Sequence, residues 1–173
     1  SVQENELGLR TGLVSLVRGK LGARHAHMPG ITARIMREGM RADYHQVNEL
    51  TMRVYEAVRQ AKAIRVRAAD GTALLARFDQ KTQWTPLGGL YHQSGSFGNL
   101  PEGEVVTSPA SVEGTFVARV IGDYFSAKYG VLPRPLTIEI ADSRFKGVRG
   151  DGGAVGTELG AYLEAVENGR RVG

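Results

Sequence analysis

The residues best suited to chemistry in this sequence include a glutamate that follows a rigid turn. In the run NLPEGEV (residues 99–105), Pro101 and Gly103 bracket a tight turn, because proline fixes φ and glycine accepts positive φ. We therefore expect Glu104 at the first residue of a short β-branched strand, with its carboxylate held in one direction. That placement suits a metal ligand or a general base. The alternative is a solvated turn glutamate.

Histidines form the second group of candidates. His25 and His27 stand at i and i+2, so they could share one face of an extended segment and bind a metal. The alternative is a pair of loop histidines before a Pro-Gly turn, because no carboxylate is near in sequence. Further along, Trp84, Tyr91 and His92 could line a pocket for an apolar side chain, or they could simply anchor their loop to the core.

Composition limits the classes of protein that need to be considered. The 173 residues suffice for one domain with a core, and the absence of cysteine excludes disulfides and thiolate metal sites. No apolar run approaches the roughly 18 residues of a membrane span, and the start lacks the basic and apolar regions of a signal peptide. We therefore expect a cytoplasmic protein with no membrane partner.

The charge pattern bears on nucleic-acid binding. The formal net charge is +4, but the basic residues are scattered and no nucleic-acid module is recognisable. Aromatic residues also do not alternate with the basic ones. We therefore expect a modestly basic surface and no nucleic-acid partner.

The elements that must position these residues predict an α+β fold with a mostly antiparallel sheet and packed helices. Asp43 and Gln46 form a capping-box pattern at the start of a helix that runs to about Ala61. Its apolar stripe, expected to pack on the sheet, consists of Val47, Leu50, Val54 and Val58. A second capped helix is expected from Thr32 to Glu38, a glycine-interrupted one over Leu7–Leu21, and a last one from Thr157. Strands are expected near residues 64–68, 73–78, 104–107, 115–121, 136–140 and 143–148.

The central phrase also resembles a known family. NLPEGEV, the following Thr107-Ser108-Pro109 and the later Val112-Glu113-Gly114 resemble the thermophilic metalloaminopeptidases, of the leucyl aminopeptidase or aminopeptidase T type. The resemblance covers roughly residue 28 to the end and implies a larger two-domain metallopeptidase-like architecture. Residues 1–30 would then be an N-terminal helical segment or the remnant of a preceding domain. Residues 31–173 would be a partial catalytic domain.

The resemblance implies a metal-dependent aminopeptidase-like hydrolase that removes N-terminal residues from peptides. Glu104 matches a ligand of the two-metal site that complete family members hold with Zn²⁺, Co²⁺ or Mn²⁺. None of the family's later ligands has a counterpart here, so the active site of this chain is expected to be incomplete. A peptide substrate is implied, and a homodimer is left open.

Two alternatives stay open. The first is a non-haem iron dioxygenase that cleaves a dihydroxypyridine-like ring, because such enzymes resemble the same superfamily and hold iron with His and Asp from a part absent here. Position 104 is expected to discriminate, since Glu suits the aminopeptidase branch and an apolar residue the dioxygenase branch. The second is a non-catalytic domain used for assembly.

Overall fold

The structure is a computed structural model that describes residues 12–28, 30–79, 81–149 and 153–172. Residues 12–15 are helical and lead into a π-helical turn at Leu16–Lys20. The α-helices that follow are α1 (Ala33–Arg37), α2 (Tyr44–Val58), α3 (Asp123–Tyr129) and α4 (Gly153–Glu164), with a 3₁₀ turn at Gly39–Arg41. The strands are β1 (His25–His27), β2 (Ala63–Arg67), β3 (Ala73–Arg77), β4 (Thr85–Leu87), β5 (Phe97–Asn99), β6 (Glu104–Val106), β7 (Ser111–Ala118), β8 (Leu136–Ala141) and β9 (Arg144–Val148).

The chain divides into two compact units. The first unit comprises Ser1–Gln60 and Trp84–Thr107, and the second comprises Ala61–Gln83 and Ser108–Gly173. Each unit is therefore built from two stretches of sequence. The predicted fold class, α+β with a mostly antiparallel sheet, is confirmed.

The second unit is organised on a five-stranded antiparallel sheet with the strand order β2-β3-β7-β8-β9. Gly71, at φ +100°, makes the turn between β2 and β3 as the Asp-Gly signal predicts. Gly114 in β7 lies against β3 so closely that a Cβ would be 2.1 Å from the carbonyl oxygen of Ala73. The long central strand β7 therefore needs glycine where it crosses its neighbour.

One face of this sheet carries the core of the unit. Register places Leu136 and Ile138 of β8 on the same face as Phe145 and Val148 of β9. Helices α3 and α4 cover that face with Phe125 and Leu159, which are both buried. The burial of these apolar side chains supplies most of the free energy that stabilises the unit.

The first unit contains two small sheets and the helix α2. Strands β1 and β5 pair in parallel, and β4 pairs with β6 in antiparallel register, with Leu87 opposite Glu104. Asp43 caps α2 as predicted: its Oδ1 accepts hydrogen bonds from the amides of His45 (2.9 Å) and Gln46 (3.4 Å). Helix α2 packs on β4 and β6.

The packing of α2 matches the prediction only in part. Val47 and Val58 are half-buried, whereas Leu50 and Val54 are 60% and 44% exposed, and the helix packs on the β4–β6 pair. The buried residue of α2 is Thr51, whose hydroxyl donates to the Val47 carbonyl oxygen at 2.9 Å. Because that bond satisfies the hydroxyl, a threonine can occupy the buried face that the apolar stripe was expected to fill.

Several boundaries also differ from the predictions. Residues 104–106 form a strand, but it belongs to the small β4–β6 sheet. Thr157 lies inside α4 and donates to the carbonyl oxygen of Gly153, so the helix starts earlier than predicted. Residues 123–129, where no helix or strand was predicted, form α3. Of the predicted helix over Leu7–Leu21, residues 7–11 lie outside the described part of the chain.

None of the helices within the described ranges is both long and apolar enough to cross a bilayer.

Candidate functional site

A cavity of about 580 Å³ opens on the first unit. It is lined by the following residues, most of them polar or aromatic: Arg24, His25, Ala26, Gly89, Tyr91, His92 and Leu100. Strand β1 and the loop before β5 place these side chains together, because β1 and β5 pair along their length. The cavity therefore offers one guanidinium, two imidazoles and one phenol to a small ligand.

The side chains that line the cavity suit a ligand that is flat or negatively charged. Arg24 is exposed, and its Nη1 makes a long hydrogen bond (3.5 Å) to the carbonyl oxygen of Tyr91. His92 is exposed and lies beside His45, with ring centroids 6.0 Å apart. Guanidinium groups bind oxyanions, and aromatic and imidazole faces stack on planar rings.

His25 is the most informative lining residue. Its ring stacks on Phe97 at 5.7 Å and on His27 at 6.4 Å between centroids. Its Nε2 atom is buried and has no hydrogen-bond partner among the described residues. A buried polar atom without a partner is uncommon in folded proteins, so this nitrogen is a candidate contact for a bound molecule.

Tyr91 is held from behind the cavity by a short network. Its Oη lies 2.9 Å from Glu102 Oε2 and 3.0 Å from the carbonyl oxygen of Asn99. The amide of Asn99 donates to the same Glu102 oxygen at 3.0 Å. The pKa of Tyr91 is raised well above its ordinary value of 10.0. The largest cause is burial of the phenol, and the next are the hydrogen bond to the Glu102 carboxylate and the negative charge of that carboxylate. Tyr91 is therefore a neutral phenol over the physiological range.

Glu104 stands where the sequence predicts. It is the first residue of β6, after a turn in which Gly103 has φ +143° and the Leu100–Pro101 bond is cis. Its side chain is exposed. The described residues contain no group of three or more His, Asp, Glu or Cys side chains that could hold a metal ion, around Glu104 or elsewhere. Its role as a metal ligand stays a prediction.

The other predicted residues divide into two groups. Tyr91 and His92 line the cavity, as one of the two interpretations of their loop expected, whereas Trp84 is not among the lining residues. His25 and His27 do share one face, in β1, but they lie in a strand rather than in a loop. The described residues bring no third ligand to that pair.

The comparisons with known proteins identify the family. The sequence model of the NicX family, described as 2,5-dihydroxypyridine 5,6-dioxygenase, matches residues 36–172. The chain belongs to this family. Four residues of the cavity, including Tyr91 and His92, lie within the matched range of NicX, whereas Arg24 and His25 precede it. Comparison with curated proteins gives no significant match.

A solved structure supports the fold. The chain is similar to a 2,5-dihydroxypyridine dioxygenase from Pseudomonas putida KT2440, with a TM-score of 0.59 and 21% sequence identity. The similarity covers 76% of this chain and 37% of that protein. The chain thus spans little more than a third of that enzyme, and at this identity the likeness shows the fold alone.

Membership of the NicX family corrects the interpretation drawn from the central phrase. The resemblance to metalloaminopeptidases is wrong, and with it the prediction of a proteolytic hydrolase. The two-metal site with Zn²⁺, Co²⁺ or Mn²⁺ has no support either. Position 104 also fails as a discriminator, because a NicX-family chain carries Glu there. The physical reason is that NLPEGEV encodes a turn followed by a strand, and that local geometry does not depend on which reaction the fold performs.

Glu102 is the residue that sequence reasoning missed. The sequence assigned it only to the turn, yet its carboxylate joins the turn to Tyr91 eleven residues earlier. The spacing Asn99-x-x-Glu102 could have indicated its contact with the Asn99 amide, because a carboxylate three residues on can reach back to an amide in a turn. Nothing in the sequence points to its contact with Tyr91.

Proposed function

We propose that this chain is part of a ring-cleaving dioxygenase that acts on a dihydroxylated pyridine or a closely related heteroaromatic ring. The observation that carries the proposal is the NicX family match over residues 36–172. The reaction named by that family adds the two atoms of O₂ to the substrate as the ring opens between carbons 5 and 6. A ring substrate of this kind is flat, apolar on its faces and polar at its edge.

The cavity of the first unit suits such a molecule. Its volume of about 580 Å³ exceeds what a single six-membered ring needs, so a ring and several waters fit. The His25 imidazole can stack on or donate to the ring, and Arg24 can bind an ionised hydroxyl group. The exposed imidazole of His92 can form a hydrogen bond with a substrate hydroxyl group.

A dioxygenase of this kind requires iron, which supplies the binding and activation of O₂. The described residues do not fit that requirement, because they contain no cluster of three or more candidate ligands. We therefore place the iron outside the cavity residues named here and assign to the cavity only the binding and orientation of the ring. Glu104 remains a candidate acidic ligand, to be tested by the iron content of the Glu104→Gln variant of the natural gene product.

The proposal is tested by oxygen uptake. The natural gene product, loaded anaerobically with Fe²⁺, is mixed with 2,5-dihydroxypyridine and air-saturated buffer. Consumption of O₂ in step with loss of the aromatic absorbance is the expected result. The proposal would be overturned if the protein hydrolysed leucyl p-nitroanilide and consumed no O₂ in the presence of 2,5-dihydroxypyridine. The homodimer that the sequence leaves open is a separate proposal, to be tested by the mass of the protein in solution.

A further inference from the structure

The contact between Tyr91 and Glu102 has a defined direction. Tyr91 Oη carries one proton and lies within hydrogen-bond distance of two acceptors, the Glu102 carboxylate (2.9 Å) and the Asn99 carbonyl (3.0 Å). An ionised carboxylate is the stronger acceptor of the two, so the phenol donates mainly to Glu102. The backbone amide of Asn99 donates a hydrogen bond to the same oxygen. Through these two hydrogen bonds, Glu102 Oε2 connects Tyr91 in the cavity wall with the turn before β6.

The packing around this contact leaves the phenol little room to move. A Cβ at Gly98 would lie 2.0 Å from Tyr91 Oη, and one at Gly89 would lie 2.5 Å from Cδ1 of Tyr44 and 3.2 Å from Cβ of Glu102. Both positions therefore require glycine, and Gly89 requires it also for its φ of +78°. The tyrosine ring thus lies directly on the β5 backbone, with the Glu102 carboxylate at its end.

Tyr91 contributes to the cavity in two ways. It lines the cavity itself, and its carbonyl oxygen accepts the hydrogen bond from Arg24, another lining residue. Glu102 contacts the phenol end of Tyr91, so its loss would disturb the wall that the ring forms. Glu102 is not among the lining residues, and its side-chain contact with Tyr91 links it to the cavity wall.

We infer that Glu102 is a positioning residue, which fixes the Tyr91 ring as one wall of the ligand cavity. The inference rests on the proposed function for the identity of the ligand, but not for the contact itself. Removing the carboxylate in Glu102→Ala should weaken the binding of 2,5-dihydroxypyridine about tenfold, which is the typical effect of losing a hydrogen bond to a charged group. Glu102→Gln keeps an acceptor oxygen and should lose only part of that affinity.

The test is a double-mutant cycle in the 173-residue chain. Calorimetry under anaerobic conditions gives the dissociation constant of 2,5-dihydroxypyridine for the wild type, Glu102→Ala, Tyr91→Phe and the double variant. Each single variant should weaken binding about tenfold, and the double variant should be no weaker than either. Glu49→Gln, which changes an exposed carboxylate on α2, serves as the control and should bind normally. Equal binding by Glu102→Ala and the wild type, or independent additive losses, would overturn the inference.

A second measurement separates this inference from the proposed function. The ring carbon Cζ of Tyr91 is followed by NMR through an alkaline titration in the wild type, Glu102→Ala and Glu102→Gln. Without the neighbouring carboxylate, Tyr91 should ionise at a lower pH in both variants. If the wild-type chain binds no dihydroxypyridine, the substrate proposal fails and this titration alone decides the role of Glu102. An unchanged Tyr91 titration in a variant with an unchanged melting temperature shows that Glu102 does not position the ring.

Discussion

At the scale of single residues, the ring of Tyr91 packs against the backbone of Gly98. Glycine is required there because any Cβ would overlap the phenol oxygen, at 2.0 Å. Gly98→Ala should therefore displace Tyr91, cost about 1–3 kcal/mol in the free energy of unfolding, and abolish detectable ligand binding. Urea unfolding and calorimetry measure the two effects.

Gly147→Ala is the matched control for this substitution. Gly147 also lies in a strand, β9, but apart from its chain neighbours no described atom lies within 4 Å of the place that a Cβ would occupy there. The substitution should leave ligand binding unchanged. If the Gly98→Ala and Gly147→Ala variants bound the ligand equally well, the close contact between Gly98 and Tyr91 would not matter for ligand binding.

At the scale of elements, helix α2 depends on its cap. Asp43 accepts hydrogen bonds from two backbone amides, and its Oδ2 also accepts one from the side-chain amide of Gln46 at 3.1 Å. Asp43→Ala should lower the free energy of unfolding by about 0.5–2 kcal/mol, because two amides of the first turn lose their acceptor. Asp43→Asn retains an acceptor oxygen and should cost clearly less. Chemical denaturation of both variants makes the comparison, and equal losses would contradict the capping role.

Helices α3 and α4 are joined by a group of contacts on Glu158. Its carboxylate accepts hydrogen bonds from Lys128 (2.8 Å), Tyr124 (3.2 Å) and Tyr129. These hydrogen bonds lower the pKa of Glu158 below its ordinary value of 4.5. The bond from Lys128 has the largest effect and the bond from Tyr129 the second largest. A lowered folded-state pKa stabilises the protein above pH 4.5, and that stabilisation is lost as the pH falls through the lowered value.

The pH dependence of Glu158→Gln checks this linkage. The wild type should be more stable than Glu158→Gln at pH 7, and the difference should shrink as the pH falls below 4.5 and the wild-type carboxylate becomes protonated. Glu167→Gln, at an exposed position beyond α4, serves as the control and should match the stability of the wild type at pH 7. A constant gap between the wild type and Glu158→Gln over this range would show that the carboxylate charge is not what matters.

At the scale of the whole molecule, the chain carries the cavity proposed to bind the ring, and its described residues hold no metal cluster. It spans 37% of the Pseudomonas putida enzyme that shares its fold. Anaerobic titration of the 173-residue chain with Fe²⁺ should therefore reveal no tight stoichiometric site, because tight binding needs several converging ligands. The same sample should still bind 2,5-dihydroxypyridine. One tight iron per chain would contradict this separation of ring binding from metal binding.

The sequence by itself determined the local structure of this protein, and the tertiary structure decided the partners. The Asp43 and Thr32 caps, the turn at Gly71 and the strand that begins at Glu104 were all predictable, because each depends on residues within a few positions. The pairing of β4 with β6, the burial of Thr51 in place of Leu50 and the contact of Tyr91 with Glu102 were not, because they join residues through packing that no short-range pattern encodes. The same distinction explains the mistaken family. A turn and a strand are specified locally by NLPEGEV, whereas a reaction depends on side chains that only the folded chain brings together.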